Sequence, residues 1–284
     1  MAIIELEYRG RLAVITINNP SKLNALGMQQ YYELSQSLRE IATRPEVFIT
    51  LIIGKGRFFS AGADVSVTRP SASGSSSDLT SPSQGDTSPS AVRQHWLRTF
   101  LANNLNTTQS FYTHPKILVV ALNGPVVGLS AALTAFADFV YAAPHAFLLT
   151  PFSSLGLVAE GGASRALVQR LGIAKANEAL IMSKRISAEE LVSSGFVNKI
   201  MEGVKPGEDE KFKEMVLAEI DERLGEHLVG DSLLGIKALI RKPEVDVLEA
   251  QNAREVFAGI ERFMSGVPQD EFAKIASGKK RHKL

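Results

Sequence analysis

The chain has 284 residues, of which 45% are hydrophobic and 21% charged, as in a globular rather than a disordered protein. It contains no cysteine, which excludes disulfides, thiolate metal sites and a cysteine nucleophile. Thirty-one basic residues against 30 acidic ones give a net charge of +1, so no basic field favours nucleic acid as a partner. No clean run of 18 apolar residues predicts a membrane span. We therefore expect a soluble, intracellular protein.

The first 200 residues predict alternating strands and helices. Period-two alternation indicates strands, and long apolar runs rich in β-branched residues are typical of strands that are buried on both faces. The predicted strands are 4–8, 12–18, 47–53, 116–122, 139–142 and 147–149, and the predicted helices are 28–41, 129–137 and 163–171. This alternation predicts an α/β fold whose sheet is covered on both faces.

Two regions differ from this core, residues 1–202. Residues 66–90 hold ten serines and three prolines with almost nothing apolar, which predicts a flexible surface insert. Beyond residue 203 the apolar positions keep helical spacing only, which predicts a C-terminal helical module over 203–278. A charged tail, 279–284, follows.

Three segments beside predicted strands combine glycine and small residues with a polar group. In the first, Arg57–Asp64 (RFFSAGAD), Gly62 permits backbone conformations that expose N–H groups to a ligand. Asp64 in this segment is equally consistent with the cap of a following helix. In the second, Asn123–Ala132 (NGPVVGLSAA), a glycine turn leads into a helix whose first N–H groups are free to stabilise an anion. Close helix–sheet packing explains the same small residues.

The third segment is Pro151–Ala163 (PFSSLGLVAEGGA), in which Glu160 is the one charged residue. A carboxylate in such apolar surroundings is either exposed at a loop tip or desolvated, and desolvation raises its pKa and makes it a base near neutral pH. A capping role before the helix at Ala163 is the alternative. Elsewhere, the histidines show no metal-ligand spacing and no nucleotide-binding motif is present, so we expect no metal or separate cofactor.

Taken in order, the three segments resemble the signature of the enoyl-CoA hydratase/isomerase family, and Asn19-Pro20 with Asn24-Ala25-Leu26 resembles that family's first turn. The likeness covers residues 1–265 apart from the insert. It implies a crotonase-like spiral of ββα units with a C-terminal helical module. It also implies an oxyanion hole made by the N–H groups of Ala63 and Leu129. The residues implied to line the acyl-CoA thioester site are Ala61, Gly62, Ala63, Asp64, Val65 and Leu129.

The acidic residues distinguish the reactions within this family. Hydratases use two glutamates, whose positions fall here on Ala132 and Phe152, and dienoyl-CoA isomerases need an acid at the Phe152 position. The single acid Glu160 and its surroundings resemble peroxisomal Δ3,Δ2-enoyl-CoA isomerases. The resemblance implies that Glu160 moves a proton from C2 to C4 of 3-enoyl-CoA and gives trans-2-enoyl-CoA. CoA is then part of the substrate.

Three alternatives remain open: hydratase chemistry, thioesterase chemistry, and a non-catalytic acyl-CoA-binding partner subunit. Asn104 is expected on a helix surface, with orientation of Glu160 or of a water as its other possible role. By resemblance, the C-terminal helices assemble a homotrimer or hexamer. The final His282-Lys283-Leu284 resembles the Ser-Lys-Leu address, which implies a peroxisomal import receptor as partner and a peroxisomal location.

Overall fold

The computed structural model describes residues 2–64 and 88–280. Val65, the greater part of the predicted serine-rich insert (66–87) and the His282–Leu284 tail lie outside the described residues. Within those two ranges no helix is long and apolar enough to span a bilayer.

Among the residues described, the main sheet has six strands, which are β1 (Ile4–Arg9), β2 (Leu12–Ile17), β3 (Ile49–Gly54), β4 (Ile117–Leu122), β6 (Phe139–Ala142) and β9 (Lys199–Ile200), and they lie across the sheet in that order. The predicted strands 4–8 and 12–18 are confirmed and form a hairpin, because β1 and β2 pair antiparallel across a turn at Gly10, where φ is +58°. Each following strand pairs parallel to its neighbour.

A second sheet of three short strands has the order β5-β7-β8. It consists of β5 (Val126–Val127), β7 (Phe147–Leu149) and β8 (Ile186–Ser187). The predicted strand 147–149 is confirmed but belongs to this sheet. Strands of two residues, such as β5 and β8, are too short to show a hydrophobic period, so the sequence did not reveal them.

Helices cover both faces of the main sheet and form the last third of the chain. They are α1 (Met28–Ala42), α2 (Pro89–Trp96), α3 (Ala102–Tyr112), α4 (Gly128–Thr134), α5 (Ala163–Leu180), α6 (Ala188–Ser193), α7 (Asp209–Leu224), α8 (Gly230–Met264) and α9 (Val267–Ala276). Short helical turns occur at Pro20–Lys22, Leu97–Leu101 and Ser153–Leu155.

Successive residues of each central strand enter two different hydrophobic cores. In β4, Leu118 and Val120 face the core that contains α1, α3 and α4. Val119 and Ala121 face the opposite core, to which α7 contributes Phe212. The sheet is therefore buried on both sides, which confirms the α/β architecture and explains the uninterrupted apolar runs in β3 and β4.

The C-terminal helices pack on the core of their own chain. Asp138, which precedes β6, receives a salt bridge from Lys237 at 2.7 Å and another from Arg241 at 2.7 Å, both on α8. Farther along α8, Val256 and Ile260 are fully buried. Helix α8 is therefore attached to the core by salt bridges near its start and by buried apolar side chains near its end.

Three sequence-based boundaries were wrong. The helix predicted at 129–137 ends at Thr134, and the helix predicted at 163–171 extends to Leu180 across Gly172, where φ is +74°. The predicted insert does not reach residue 90. Ser88 caps α2 by accepting a hydrogen bond from the Ala91 amide, and Pro89 occupies the first helical turn. Serine followed by proline is a signal for the start of a helix. Because Ser88 and Pro89 lie at the end of a serine-rich run, the sequence analysis assigned them to the insert instead.

Candidate active site

A cavity of about 400 Å³ lies between α1, α3 and α4 on one side and the two last helices on the other. Most of the side chains around it are apolar or aromatic, so it suits a hydrophobic chain. These are Leu26, Met28, Trp96, Phe100, Phe152, Leu155, Leu157, Phe263, Phe272 and Ile275.

The loop after β3 brings one free backbone donor to this cavity. The Leu26 amide donates to the Gly62 carbonyl at 2.9 Å, and the Asp64 amide donates to the Leu26 carbonyl at 3.0 Å. The amide of Ala63, between them, points away from that pairing and donates to no acceptor among the described residues. Ala63 borders the cavity, so its N–H is available to a ligand.

The start of α4 brings a second donor. Leu129 lies in the first turn of α4, where amides have no intrahelical acceptor, and the N-cap Val127 supplies no side-chain bond. The two loops touch at Gly62, whose φ is +86° and whose missing Cβ would lie 2.8 Å from the Val127 carbonyl oxygen. Only glycine allows this approach. Ala63 and Leu129 therefore border the same cavity, as an oxyanion hole requires.

A chain of hydroxyl groups lies beneath these two loops. Ser60 Oγ donates to the Asn24 carbonyl and accepts from the Gly62 amide at 3.1 Å. Ser130 Oγ lies 2.9 Å from Ser60 Oγ and 2.9 Å from the Tyr31 hydroxyl. Because the Ser60 proton goes to Asn24, Ser130 must donate to Ser60 and Tyr31 to Ser130. The chain joins the two loops through hydrogen bonds that do not use the Ala63 and Leu129 amides.

Glu160 borders the cavity next to Leu157. Asn104 Nδ2 donates to Glu160 Oε2 at 3.0 Å, and no cation of the described residues forms a salt bridge with Glu160. Desolvation raises the pKa of Glu160 to about 7, with a further rise from the charge of Glu255 and an opposing effect of the Asn104 hydrogen bond. The structure therefore favours the desolvated-base interpretation over an exposed loop tip.

The turn after Glu160 packs against Leu129 of α4 and is hydrogen-bonded to Glu255 of α8. Gly161 and Gly162 have φ values of +69° and +72°, and a Cβ at Gly161 would lie 2.6 Å from Leu129 Cδ1. The capping role considered for Glu160 belongs to another residue. The Gly162 and Ser164 amides at the start of α5 donate to Glu255, at 2.6 and 2.8 Å.

Several predicted residues meet at this cavity: Ala61, Gly62, Ala63, Asp64, Leu129, Asn104 and Glu160 all border it. Val65 is outside the described residues. Asp64 Oδ2 forms a salt bridge with Lys22 Nζ at 2.8 Å, which occupies its charge. The expectation of a surface position for Asn104 was wrong, because the residue is only 4% exposed.

The two positions assigned to hydratase glutamates differ from each other. Phe152 borders the cavity, whereas Ala132 is fully buried. The Cβ of Ala132 is so close to the Glu160 loop that a Cβ added at Gly161 would lie 3.0 Å from it. In residues 2–64 and 88–280, no group of three His, Asp or Glu side chains could hold a metal ion.

Comparison with known proteins establishes the family. The model of the enoyl-CoA hydratase/isomerase family matches residues 7–210, so the chain belongs to that family. The enoyl-CoA hydratase/isomerase structure from Pseudoalteromonas atlantica matches with a TM-score of 0.79 at 23% identity, over 100% of each chain. This likeness confirms the predicted crotonase-type fold.

Three curated relatives are isomerases by name. The Delta(3,5)-Delta(2,4)-dienoyl-CoA isomerase of Pyricularia oryzae is 65% identical over 99% of both chains. The 3,2-trans-enoyl-CoA isomerase of Saccharomyces cerevisiae is 32% identical over 99% of this chain and 97% of its own. A mouse protein named Enoyl-CoA delta isomerase 3, peroxisomal, is 30% identical over 92% of this chain and 72% of its own.

The raised pKa of Glu160 predicts a pH-dependent stability. The folded state binds this proton at a pKa of about 7 and the ordinary value is 4.5, so the contribution of Glu160 to stability should fall as the pH rises from about 4.5 through 7. Glu160→Gln does not titrate. It should therefore be more stable than wild type at pH 8, by an amount that shrinks toward pH 4.5.

Urea unfolding at fixed protein concentration across this pH range measures the difference. Glu202→Gln, at an exposed position, is the matched control and should show no such trend. A stability difference that is independent of pH would contradict the assignment.

Proposed function

We propose that the protein is an isomerase that converts 3-enoyl-CoA to trans-2-enoyl-CoA, a double-bond shift used in fatty-acid β-oxidation. The observation that carries the proposal is the Glu160 carboxyl, desolvated at an apolar cavity that two backbone donors also border. The isomerase names of the relatives support this class of reaction.

The first step of the proposed reaction removes a proton from C2 of the thioester. The C2–H bond is weakly acidic, so the charge that develops on the thioester oxygen must be stabilised as it forms. The N–H groups of Ala63 and Leu129 would donate to that oxygen, and each such preorganised donor contributes roughly 10²–10³ in rate. Glu160 would accept the proton, for which a pKa of about 7 suits it.

The second step returns the proton to C4. A single carboxyl group suffices when both carbons are reached on one face, because Glu160 regains its charge as C4 receives the proton. Asn104, through its bond to Glu160 Oε2, would hold the carboxylate in place between the two transfers. Phe152 and Leu157 would keep water from the double bond, which suppresses hydration.

The name of the 65% identical relative makes dienoyl-CoA isomerisation the second candidate. Conversion of a 3,5-dienoyl to a 2,4-dienoyl thioester moves a proton from C2 to C6, which places the second transfer two carbons farther along the chain. The acid that would serve it is replaced by Phe152. Asp64, the other acid that the described part of the chain brings to the cavity, is paired with Lys22. One available carboxyl group therefore favours the 3-enoyl substrate.

Glu160→Gln should lower kcat for 3-hexenoyl-CoA by roughly 10²–10⁴-fold, because the amide keeps the size of the side chain and cannot accept a proton. Acyl-CoA binding, measured by calorimetry, should stay near wild type. Glu202→Gln serves as the exposed control. Binding without turnover in the wild-type protein would instead establish the non-catalytic subunit, and a hydroxyacyl or free-acid product would establish hydratase or thioesterase chemistry.

The two isomerase candidates are separated by their substrates. Wild type should turn over 3-enoyl-CoA with a kcat roughly 10²-fold above that for 3,5-dienoyl-CoA of equal length, since the second reaction lacks a positioned proton-transfer group. The absorbance of the conjugated products measures both rates. A higher kcat on the dienoyl substrate would contradict the argument from the single carboxyl group.

We also propose a homotrimer or hexamer that assembles through the C-terminal module. Several large apolar side chains on α8 stay exposed in the isolated chain, among them Ile236, Leu239 and Ile240, which are 58, 74 and 66% exposed. Their spacing puts them on one helix face, and contact with a second copy would remove that apolar surface from water.

The proposed location is the peroxisome, supported by the mouse relative whose name includes it and by the His282-Lys283-Leu284 sequence. Deleting Lys283 and Leu284 should leave isomerase activity unchanged and release a fluorescently tagged protein into the cytosol. Lys279→Ala, which alters the same charged tail, should leave import intact. The host must lack other copies of the protein, and a truncated protein that still enters peroxisomes would refute the address.

A further inference from the structure

Helix α8 contacts the Glu160 loop at both ends. Before Glu160, Arg262 Nε donates to the Gly156 carbonyl at 2.7 Å. After it, Glu255 accepts from the Gly162 amide and from both the amide and the hydroxyl of Ser164. The segment that carries the base is thus fixed by two residues of α8 that lie more than 90 residues farther along the chain than the groups they bind.

Glu255 is a buried carboxylate that no part of the proposed reaction uses. It is 5% exposed, and no cation within the described ranges forms a salt bridge with it. Both of its oxygens act as acceptors, as in an ionised carboxylate. Burial raises the pKa of Glu255, while its hydrogen bonds from Ser164 and Gly162 oppose that rise.

Ordinary capping does not require such a residue. A serine or aspartate at the N-cap position would satisfy the first amides of α5 from within the loop, but Gly162 stands there with no side chain. Glu255 supplies the cap from another helix, and its charge contributes to the raised pKa of Glu160. A neutral cap would hold the same amides without affecting the base in this way.

We propose that Glu255 is a positioning residue for the isomerisation: it clamps the amides that follow Glu160 and carries a negative charge at the end of the loop that holds the catalytic carboxylate. The clamp fixes the geometry of the base, and the charge strengthens it. This inference rests on the proposed function.

Within residues 2–64 and 88–280, the side chains that hydrogen-bond to Glu160 or Glu255 are neutral. Asn104 on α3 donates to Glu160, and Tyr31 on α1 faces the same carboxyl with its hydroxyl bonded to Ser130. Gln251, one turn before Glu255 on α8, donates to Ser164 Oγ. Glu255 is thus the charged group that acts on Glu160.

Glu255→Gln tests the charge. Losing the negative neighbour should lower the pKa of Glu160 and move the acid limb of the kcat/KM–pH profile downward by roughly half a pH unit or more. At neutral pH kcat should fall about tenfold, because the base is weaker and because the amide nitrogen of glutamine cannot accept one of the two backbone N–H bonds of the clamp, with KM little changed. Asn104→Ala should move the same limb upward, since the Asn104 bond lowers the pKa of Glu160.

Glu244→Gln is the matched control. Glu244 also lies on α8 and also binds the start of α5, through Arg165 at 2.9 Å, but it makes no contact with Gly162 or Ser164. The same chemical change there should leave the acid limb in place. An unmoved limb in folded Glu255→Gln, or an equal shift in Glu244→Gln, overturns the charge effect.

Glu255→Asp tests the clamp and covers the case in which Glu255→Gln does not fold. The shorter side chain keeps the charge but cannot reach both amides, so kcat should fall about tenfold while the acid limb stays near its wild-type pH. Wild-type kcat in this variant would overturn the clamp.

A wild-type protein without isomerase turnover would contradict the proposed function separately. In that case ¹³C NMR titration of the Glu160 carboxyl decides the effect of Glu255 without substrate. A lower Glu160 pKa in Glu255→Gln supports the inference, and an unchanged one overturns it.

Discussion

The central constraint on this site is that the Glu160 carboxyl group lies at the edge of an apolar cavity. Desolvation favours its neutral form, and a nearby cation would cancel that effect and leave a weak base. The described residues offer Glu160 a single amide donor, Asn104, and no cation. Its pKa of about 7 therefore follows from what surrounds it, and the apolar lining that desolvates the base also accommodates a hydrophobic acyl chain.

The rest of the site depends on close contacts between three loops. Gly62 lies against Val127, and Gly161 lies against Leu129, each with a positive φ. A side chain at either glycine would push the loops apart and separate the base from the two amides. The hydroxyl chain through Ser60, Ser130 and Tyr31 then bonds two of the loops to α1. Backbone geometry and buried hydroxyl groups together fix the Ala63 and Leu129 amides without forming hydrogen bonds to them.

The sequence predicted the features that arise from local patterns. Apolar periodicity predicted strands 116–122 and 139–142, and glycine beside small residues marked the loops that carry Ala63 and Leu129. It gave the orientation of Glu160 only as the second possibility for Asn104 and expected a surface position, because an asparagine on a helix carries no sign of which neighbour it faces. Glu255 was missed for the same reason. In the sequence, nothing distinguishes Glu255 from the other glutamates of α8, and only the tertiary fold brings it to Gly162.

The active site is assembled from the shared core and from helices beyond it. The family model matches residues 7–210, which include Ala63, Leu129 and Glu160. The helices after that range contribute Glu255 and part of the cavity wall, namely Phe263, Phe272 and Ile275. The two proposed donors and the proposed base thus lie within the range that the family model matches. The pKa of Glu160 and the space for an acyl chain depend in addition on side chains of the C-terminal helices, through the charge of Glu255 and the apolar wall of the cavity.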